Sequence, residues 1–496
     1  MRKESVPVPA SVIEFDEAIA AYEAGEREEL LPRLERSIRT GTRDPRLWHL
    51  HGLILRHLDR HREALESFGK AAEMAPGSAK IAHALARTLL EAGLPSIDAF
   101  GRALQLAPAD EEVILGLSAA FVAEGEPETA IAGLTKILRR SPHWVTGHQL
   151  LSRLRWAQGD REGFASSFDE ALASNPRNLE LRHQQLITFL HAERYDDMLA
   201  AIRAGREAMG EQSIFSVNEA VAYAEMGDTE EAERLFLPLA DLDDATVQVR
   251  RVRMYLRMDR PESAAETIEP WLDTQNAFMF WPYASLAWRL VDEPRWHWLE
   301  GEESFIGVYD IADRLPPLGT LAATLRKLHT MSGQPLEQSL RGGSQTDGNL
   351  FLHIDPVIVQ LREAVRDAVA EHVAKLPASD PTHPLLGPRR GNIVFSGSWS
   401  VLLHGNGFHA NHVHPAGWIS SALYVGLPND IGEADSGILT LGEAKAPNFP
   451  VDLPPYRTVL PKPGRLALFP SYVWHGTRPF TAGERMTVAF DVAPLA

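Results

Sequence analysis

The sequence predicts a multidomain α + β protein: an all-α array of repeated helix pairs, then an antiparallel β domain with flanking helices. Three observations predict it. Prolines recur at near-constant spacing through the first part of the chain. After position 275 the texture changes from Ala/Leu/Glu/Arg-rich runs to short β-branched and aromatic segments broken by Gly, Pro, Asn and Asp. Three histidines, His409, His412 and His414, then fall within six positions between two of those segments.

A chain of 496 residues is too long for one core and implies several domains. Its formal net charge of −18 and the lack of any Lys/Arg-rich run argue against a nucleic-acid partner. With no cysteine, disulfides, thiolate metal sites and cysteine nucleophiles are excluded. The opening stretch "MRKESVPVPASVIEFDEAI" lacks the apolar core of a secretory signal, and no stretch approaches 18 uninterrupted apolar residues. The expectation is a cytoplasmic protein without a membrane span.

The helical array is predicted over 10–275. Pro76, Pro108, Pro142 and Pro176 each close a similar run, such as "AFGRALQLAP" and "AIAGLTKILRRSP". Aligned on those prolines, Gly52, Ser118 and Ser152 coincide, as do Ala64 and Ala130, where two antiparallel helices must approach closely. Gly125 and Gly159 coincide at the turn between helices. "AVAYAEMGDTEEAERLFLPLA" and "VRMYLRMDRPESAAETIEPWL" extend the pattern to about residue 275. These features resemble the tetratricopeptide repeat, whose solenoids often hold peptides or proteins on a concave face. A peptide or protein partner is therefore expected, with a spacer or oligomerisation role as the plain alternative. Trp48, Trp144 and Trp156 read as core residues of this array.

A connecting segment, 276–334, carries a tryptophan cluster and a strand signal, "FIGVYDI". The C-terminal domain is predicted over 335–496. "DPVIVQLREAVRDAVAEHVAKL" has apolar residues at helical spacing behind a Pro start signal. The segments "NIVFSGSWSVLL", "WISSALYVGL", "GILTLGEA", "YRTVLPKPGRLALFP" and "RMTVAFDVA" read as strands of a sandwich or barrel.

On an extended segment alternate side chains point the same way, so His412 and His414 can face one ion. His475, where the chain turns back after "GRLALFPSYVW", is the expected third ligand. Arg485 and Thr487 share a strand face, a guanidinium fork plus one hydroxyl suited to a carboxylate. By the same alternation His409 is out of register, and surface or loop packing is expected of it. His404 is expected to be structural. "RGGSQT" reads as a loop near a substrate entrance, with Arg341 and Gln345 turned to the site, or as a plain turn.

This combination resembles the 2-oxoglutarate- and Fe(II)-dependent oxygenases over about 335–494. It is most similar to the oxygenase family whose members often carry tetratricopeptide repeats. The likeness rests on "SLRGGSQTDGNLF", Trp399, "HVHP", the "SALYV" strand, "GRLALFPSYVWHGTRPF" and "ERMTVAFDV". It implies a double-stranded β-helix (jelly-roll) and hydroxylation of an unactivated C–H with Fe(II) and the co-substrate 2-oxoglutarate. The substrate it suggests is a peptide or protein side chain presented by the repeats. It also implies that His412 and His475 are metal ligands and that Arg485, with Thr487, holds the far carboxylate of 2-oxoglutarate. Tyr424 is implied to line that pocket.

The sequence departs from the pattern at His414, where the common facial triad has a carboxylate. Three readings stand open: His414 is a ligand, giving a His412, His414, His475 set; it lies behind a two-histidine site; or Asp435 or Asp491 supplies the carboxylate. Two other functional classes remain. One is a non-catalytic repeat scaffold with an inactive β domain. The other is a cupin-type metalloenzyme, disfavoured because "PAGW" follows HxH where cupins usually place a Glu.

Overall fold

The computed structural model describes residues 13–331, 333–336, 338–428, 435–445, 449 and 451–494. Residues 1–12, which hold most of the opening stretch read for a signal and the first three residues of the expected array, and the last two residues of the expected C-terminal domain lie outside the described residues. The described chain packs as two units, 1–130 with 352–356, and 131–351 with 357–496.

The first unit is helical, with hairpins such as Pro45–His57 and His61–Met74, or Ala79–Glu91 and Ile97–Leu106. The small residues sit where two helices touch. A Cβ on Gly52 would run into the Phe68 ring, and Ala64 and Ser118 are buried. The prolines precede a recurrent cap. Ser78 and Asp110, two residues after Pro76 and Pro108, accept backbone N–H groups of the next helix, as Asn178 does after Pro176 in the second unit. Such caps contribute about 1 kcal/mol each. Gly125 and Gly159 occupy the left-handed region, with φ of +84° and +88°, which spares a Cβ clash at the inter-helix turn.

In the second unit the helix pairs continue, including Leu179–His191 with Tyr195–Met209, Ser213–Met226 with Thr229–Phe236, and Ala245–Arg257 with Pro261–Ile268. Trp144 and Trp156 are buried as expected, whereas Trp48 in the first unit is partly exposed. The stretch 276–334 forms helices Ala277–Leu290, Arg295–Glu300 and Leu318–Arg326 and a strand, β1 (Gly307–Asp310).

Eight further strands follow: β2 (Leu340–Gln345), β3 (Phe395–His409), β4 (Ile419–Gly426), β5 (Leu439–Leu441), β6 (Arg457–Val459), β7 (Arg465–Pro470), β8 (His475–Thr477) and β9 (Glu484–Val492). They make two antiparallel sheets, ordered β1-β7-β4-β9-β3-β2 and β6-β5-β8. The non-sequential order of the large sheet is that of a jelly-roll rather than a meander. "RGGSQT" is not a loop: it is β2, paired with β3 across a bulge. Its two glycines explain the misreading. Gly342 has φ +77°, and a Cβ on Gly343 would press into the Leu402 carbonyl.

Strand alternation divides β9 by function. Met486, Val488, Phe490 and Val492 join a large apolar cluster with Ile358, Leu361 and Val365 of the helix Pro356–Lys375. Arg485, Thr487 and Asp491 project to the other side of the strand. The helix thus covers one face of the large sheet, while the other carries Arg485 and Thr487 opposite the buried Leu403 and Val401.

Candidate active site

His412 leaves β3 and meets the start of β8. Its N–H donates to the His475 carbonyl at 2.9 Å and the His475 N–H returns a bond at 3.0 Å. This reciprocal bridge sets the two rings 4.2 Å apart, centroid to centroid. His414, tied by its N–H to the Ser471 carbonyl at 2.9 Å, brings its ring to 5.0 Å from His412 and 5.1 Å from His475. One nitrogen from each ring lies within 4.8 Å of the other two.

Each ring is oriented by its Nδ1. That of His412 lies 2.8 Å from the Ala410 carbonyl, and that of His475 lies 3.0 Å from the Val473 carbonyl. For His414 the partner is Asp491, 2.9 Å away. With Nδ1–H donated to an oxygen, each ring keeps its Nε2 lone pair for a cation, the usual arrangement around metal-bound histidines. Burial lowers the basicity of His475, to about 3, and holds His412 well below its ordinary value. Both are therefore neutral, as ligation requires.

Asp491 is itself held, its Oδ1 2.6 Å from the Ser420 hydroxyl, which is 2.9 Å from that of Ser471. It stands behind His414, and the ligand cluster among the described residues consists of the three histidines alone. Asp435 is exposed and outside it.

His409 departs from the expectation of surface or loop packing. Its ring is near-parallel to that of His412 at 6.1 Å, and the Ser339 hydroxyl lies 3.1 Å from both His409 Nδ1 and His412 Nε2. Burial, and then the positive charge of Arg485, hold His409 at about 3. The alternation argument failed because the chain is not a regular strand here: Ala410 bonds back to the Ser339 carbonyl before His412 pairs with His475. His404 lies at the exposed edge, 4.0 Å from Glu484.

Arg485 is 1 % exposed. Its Nη1 donates to the Gly437 carbonyl at 3.1 Å, and its guanidinium lies 5.0 Å from the Tyr424 ring centroid. Arg485 Nε and the Tyr424 hydroxyl are buried without a hydrogen-bond partner. Among the described residues no carboxylate pairs with Arg485; Asp491 is engaged by His414 and Glu484 by Arg326. Thr487 is opposite both Val401 and Tyr424 in register. A buried guanidinium with no anion is costly, because desolvation is uncompensated. Its own free Nε and the orphaned Tyr424 hydroxyl nearby fit a bound carboxylate.

A cavity of about 810 Å³ opens over this cluster. The β domain lines it with Arg341, Gln345, Trp399, His412, His414 and Asp491, and the repeat helices with Trp156, Tyr195, Glu225, Arg250 and Arg253. Sequence reasoning gave Ser339 no role, although it opens the quoted stretch "SLRGGSQTDGNLF", and missed these repeat residues apart from Trp156, which it placed in the core. Nothing in spacing or composition links them to the histidines.

Residues 397–491 match the protein family described as "Putative 2OG-Fe(II) oxygenase", and residues 45–78 match the tetratricopeptide repeat. The chain thus carries an oxygenase-family domain at its C-terminal end and repeats at its N-terminal end. No curated protein matches the sequence. Among solved structures, a Pseudomonas putida prolyl-4-hydroxylase aligns at 16 % identity over 39 % of this chain and 94 % of its own, with a TM-score of 0.26. The MamA protein aligns at 17 % identity over 34 % and 92 %, with a TM-score of 0.31. A tetratricopeptide repeat protein from Parabacteroides merdae aligns at 15 % over 49 % and 97 %, also at 0.31. No helix among the described residues is long and apolar enough to cross a membrane.

Proposed function

We propose that the protein is an Fe(II)- and 2-oxoglutarate-dependent dioxygenase that hydroxylates a peptide or protein side chain entering the cavity between the β domain and the repeat helices. The observation that carries this reading is the set of three imidazoles with oriented Nδ1 atoms, in a domain that also holds a buried Arg485 with no carboxylate partner among the described residues. His412, His414 and His475 would hold Fe(II) through Nε2. Arg485 would hold the distal carboxylate of 2-oxoglutarate, with Thr487 as a further donor and Tyr424 lining the pocket. When bound, iron and 2-oxoglutarate supply oxidation of a C–H by molecular oxygen, with succinate and carbon dioxide as co-products.

The chain's own residues do the rest. The Ser339 hydroxyl must turn from His412 Nε2 to make way for a cation. The hydrogen-bonded Asp491 returns negative charge to a site whose three neutral ligands carry none. Trp399 and the repeat wall bound the cavity, so that a substrate group is held while water is restricted.

The test is anaerobic loading with Fe(II), then oxygen and 2-oxoglutarate, with succinate measured. Turnover is expected in the wild type and abolished in His475→Ala. Undiminished turnover in that variant would overturn the assignment.

A further inference from the structure

The repeat-side wall of the cavity carries its own charge imbalance. Glu225, 8 % exposed, accepts from Arg253 at 3.0 and 3.1 Å and from Arg257 at 2.5 Å, with Arg250 at 3.5 Å. Burial alone would raise its pKa, yet Arg253, Arg257 and Arg250 hold it at about 2, so it is ionised. One carboxylate faces three guanidinium groups.

Two of the three have both terminal nitrogens engaged. Arg257 also donates to the Ala224 and Glu225 carbonyls. Arg253 also reaches the Tyr283 hydroxyl at 3.3 Å and lies over the Phe449 ring at 4.7 Å. Arg250 differs. Its hydrogen bond among the described residues is the long one to Glu225, its side chain is 30 % exposed, and it lines the cavity. Tyr195 lines the same wall as a neutral donor, its phenol pushed well above the ordinary range by burial and by Glu225 and Glu193. The other acids of the cavity are engaged, Glu193 with Arg341 at 3.0 Å and Asp491 with His414. Gln334, Gln338 and Asn411 add amide side chains of the kind that pair with peptide backbone.

We propose that Arg250, with Tyr195 on the same wall, is a carboxylate-binding subsite, and that the substrate is a peptide carrying an acidic side chain or a free C-terminus which docks there while another of its groups reaches the histidine cluster. The part concerning the reacting group rests on the oxygenase reading; the subsite does not. A guanidinium fork with spare donors in a partly desolvated wall is suited to two-pronged carboxylate binding.

The test uses the full chain and fluorescein-labelled heptapeptide pools, degenerate over the non-acidic residues except at position four. That position is Asp, Glu, Asn or Gln, and each pool is made with a free and an amidated C-terminus. Anisotropy titrations with the wild type, Arg250→Gln and Arg250→Lys give relative affinities, and succinate formation is read in parallel. Acid-bearing pools are expected to bind about tenfold more tightly than their amide counterparts, the worth of one charged hydrogen-bonded pair. Arg250→Gln should erase the preference and Arg250→Lys should keep part of it. Preference for Asp or Glu identifies a side chain as the source, and preference for the free C-terminus identifies the chain end. Equal binding of acid and amide pools, no binding by any pool, or an acid preference that survives Arg250→Gln would each overturn the subsite. Acid preference without succinate would retain the subsite and remove the oxygenase reading. Peptide-stimulated succinate without acid preference would do the reverse.

Discussion

Nδ1 of His414 lies 2.9 Å from each carboxylate oxygen of Asp491. In the sequence the two are 77 positions apart, and strand β9 brings the acid to the histidine. The contact fixes which imidazole nitrogen is free. In the proposed site it would also supply an anion behind the His414 ring, where the common triad has a carboxylate in direct contact with the metal.

Asp491→Asn should therefore weaken metal binding rather than abolish it. Loss of such a supporting carboxylate costs about 10- to 100-fold in affinity. Calorimetric titration with Mn(II) measures it, and His414→Ala should lose more. Equal affinity in wild type and Asp491→Asn would remove the acid from the account.

Arg485→Met removes a buried charge that has no carboxylate partner among the described residues. The apo variant is expected to be as stable as the wild type or more so, since the desolvation cost goes with the charge. Its affinity for 2-oxoglutarate should fall at least about tenfold. Thermal unfolding with and without 2-oxoglutarate reads both: the ligand should raise the wild-type midpoint and leave the variant's unchanged. A variant that is strongly destabilised and still shifted by ligand would contradict the role.

Glu225 ties three arginines of the repeat wall. Its folded pKa, about 2, is below the ordinary carboxylate value of 4.5. A depressed carboxylate contributes stability that is fully present above the unfolded pKa and is lost as pH falls through the folded one. The contribution, on the order of 3 kcal/mol, should therefore disappear between about pH 4.5 and 2. Glu225→Gln should flatten that part of the stability profile and lower neutral-pH stability by about 3 kcal/mol, because it leaves buried guanidinium groups unpaired. Denaturant titrations across this range check it.

Gly476 is the middle residue of strand β8, next to His475, where an added Cβ would overlap the Asn411 side chain and press on the His409 carbonyl. Gly476→Val should displace the 409–412 segment and reduce Mn(II) affinity while the repeats keep their helicity. Circular dichroism paired with metal titration separates the two effects. Unchanged affinity would show that the segment tolerates the shift.

The helix pairs were legible because their devices are local: a proline, a cap two residues on, a small residue under an aromatic ring. His412, His414 and His475 could be picked out because imidazoles are sparse and their flanking strands carry alternation. His409 was misjudged, since alternation assumes a regular strand and the backbone bends at Asn411, between His409 and His412. β2 was read as a loop because its glycines, which suit a bulge, also mark turns. Arg250 and Glu225 left no signal at all, and Ser339 was only the first residue of a stretch quoted for its family likeness. Their roles come from packing of segments distant in sequence, and neither periodicity nor composition encodes that.

The most direct measurement is a diffraction experiment on crystals grown with Zn(II), a redox-inert stand-in for Fe(II), using the anomalous signal to locate the ion. One peak is expected about 2.0–2.1 Å from Nε2 of each of His412, His414 and His475, with Asp491 still on Nδ1 of His414. An ion bound by the Asp491 carboxylate with His414 displaced, or a peak that leaves His475 uncoordinated, would contradict the three-imidazole site.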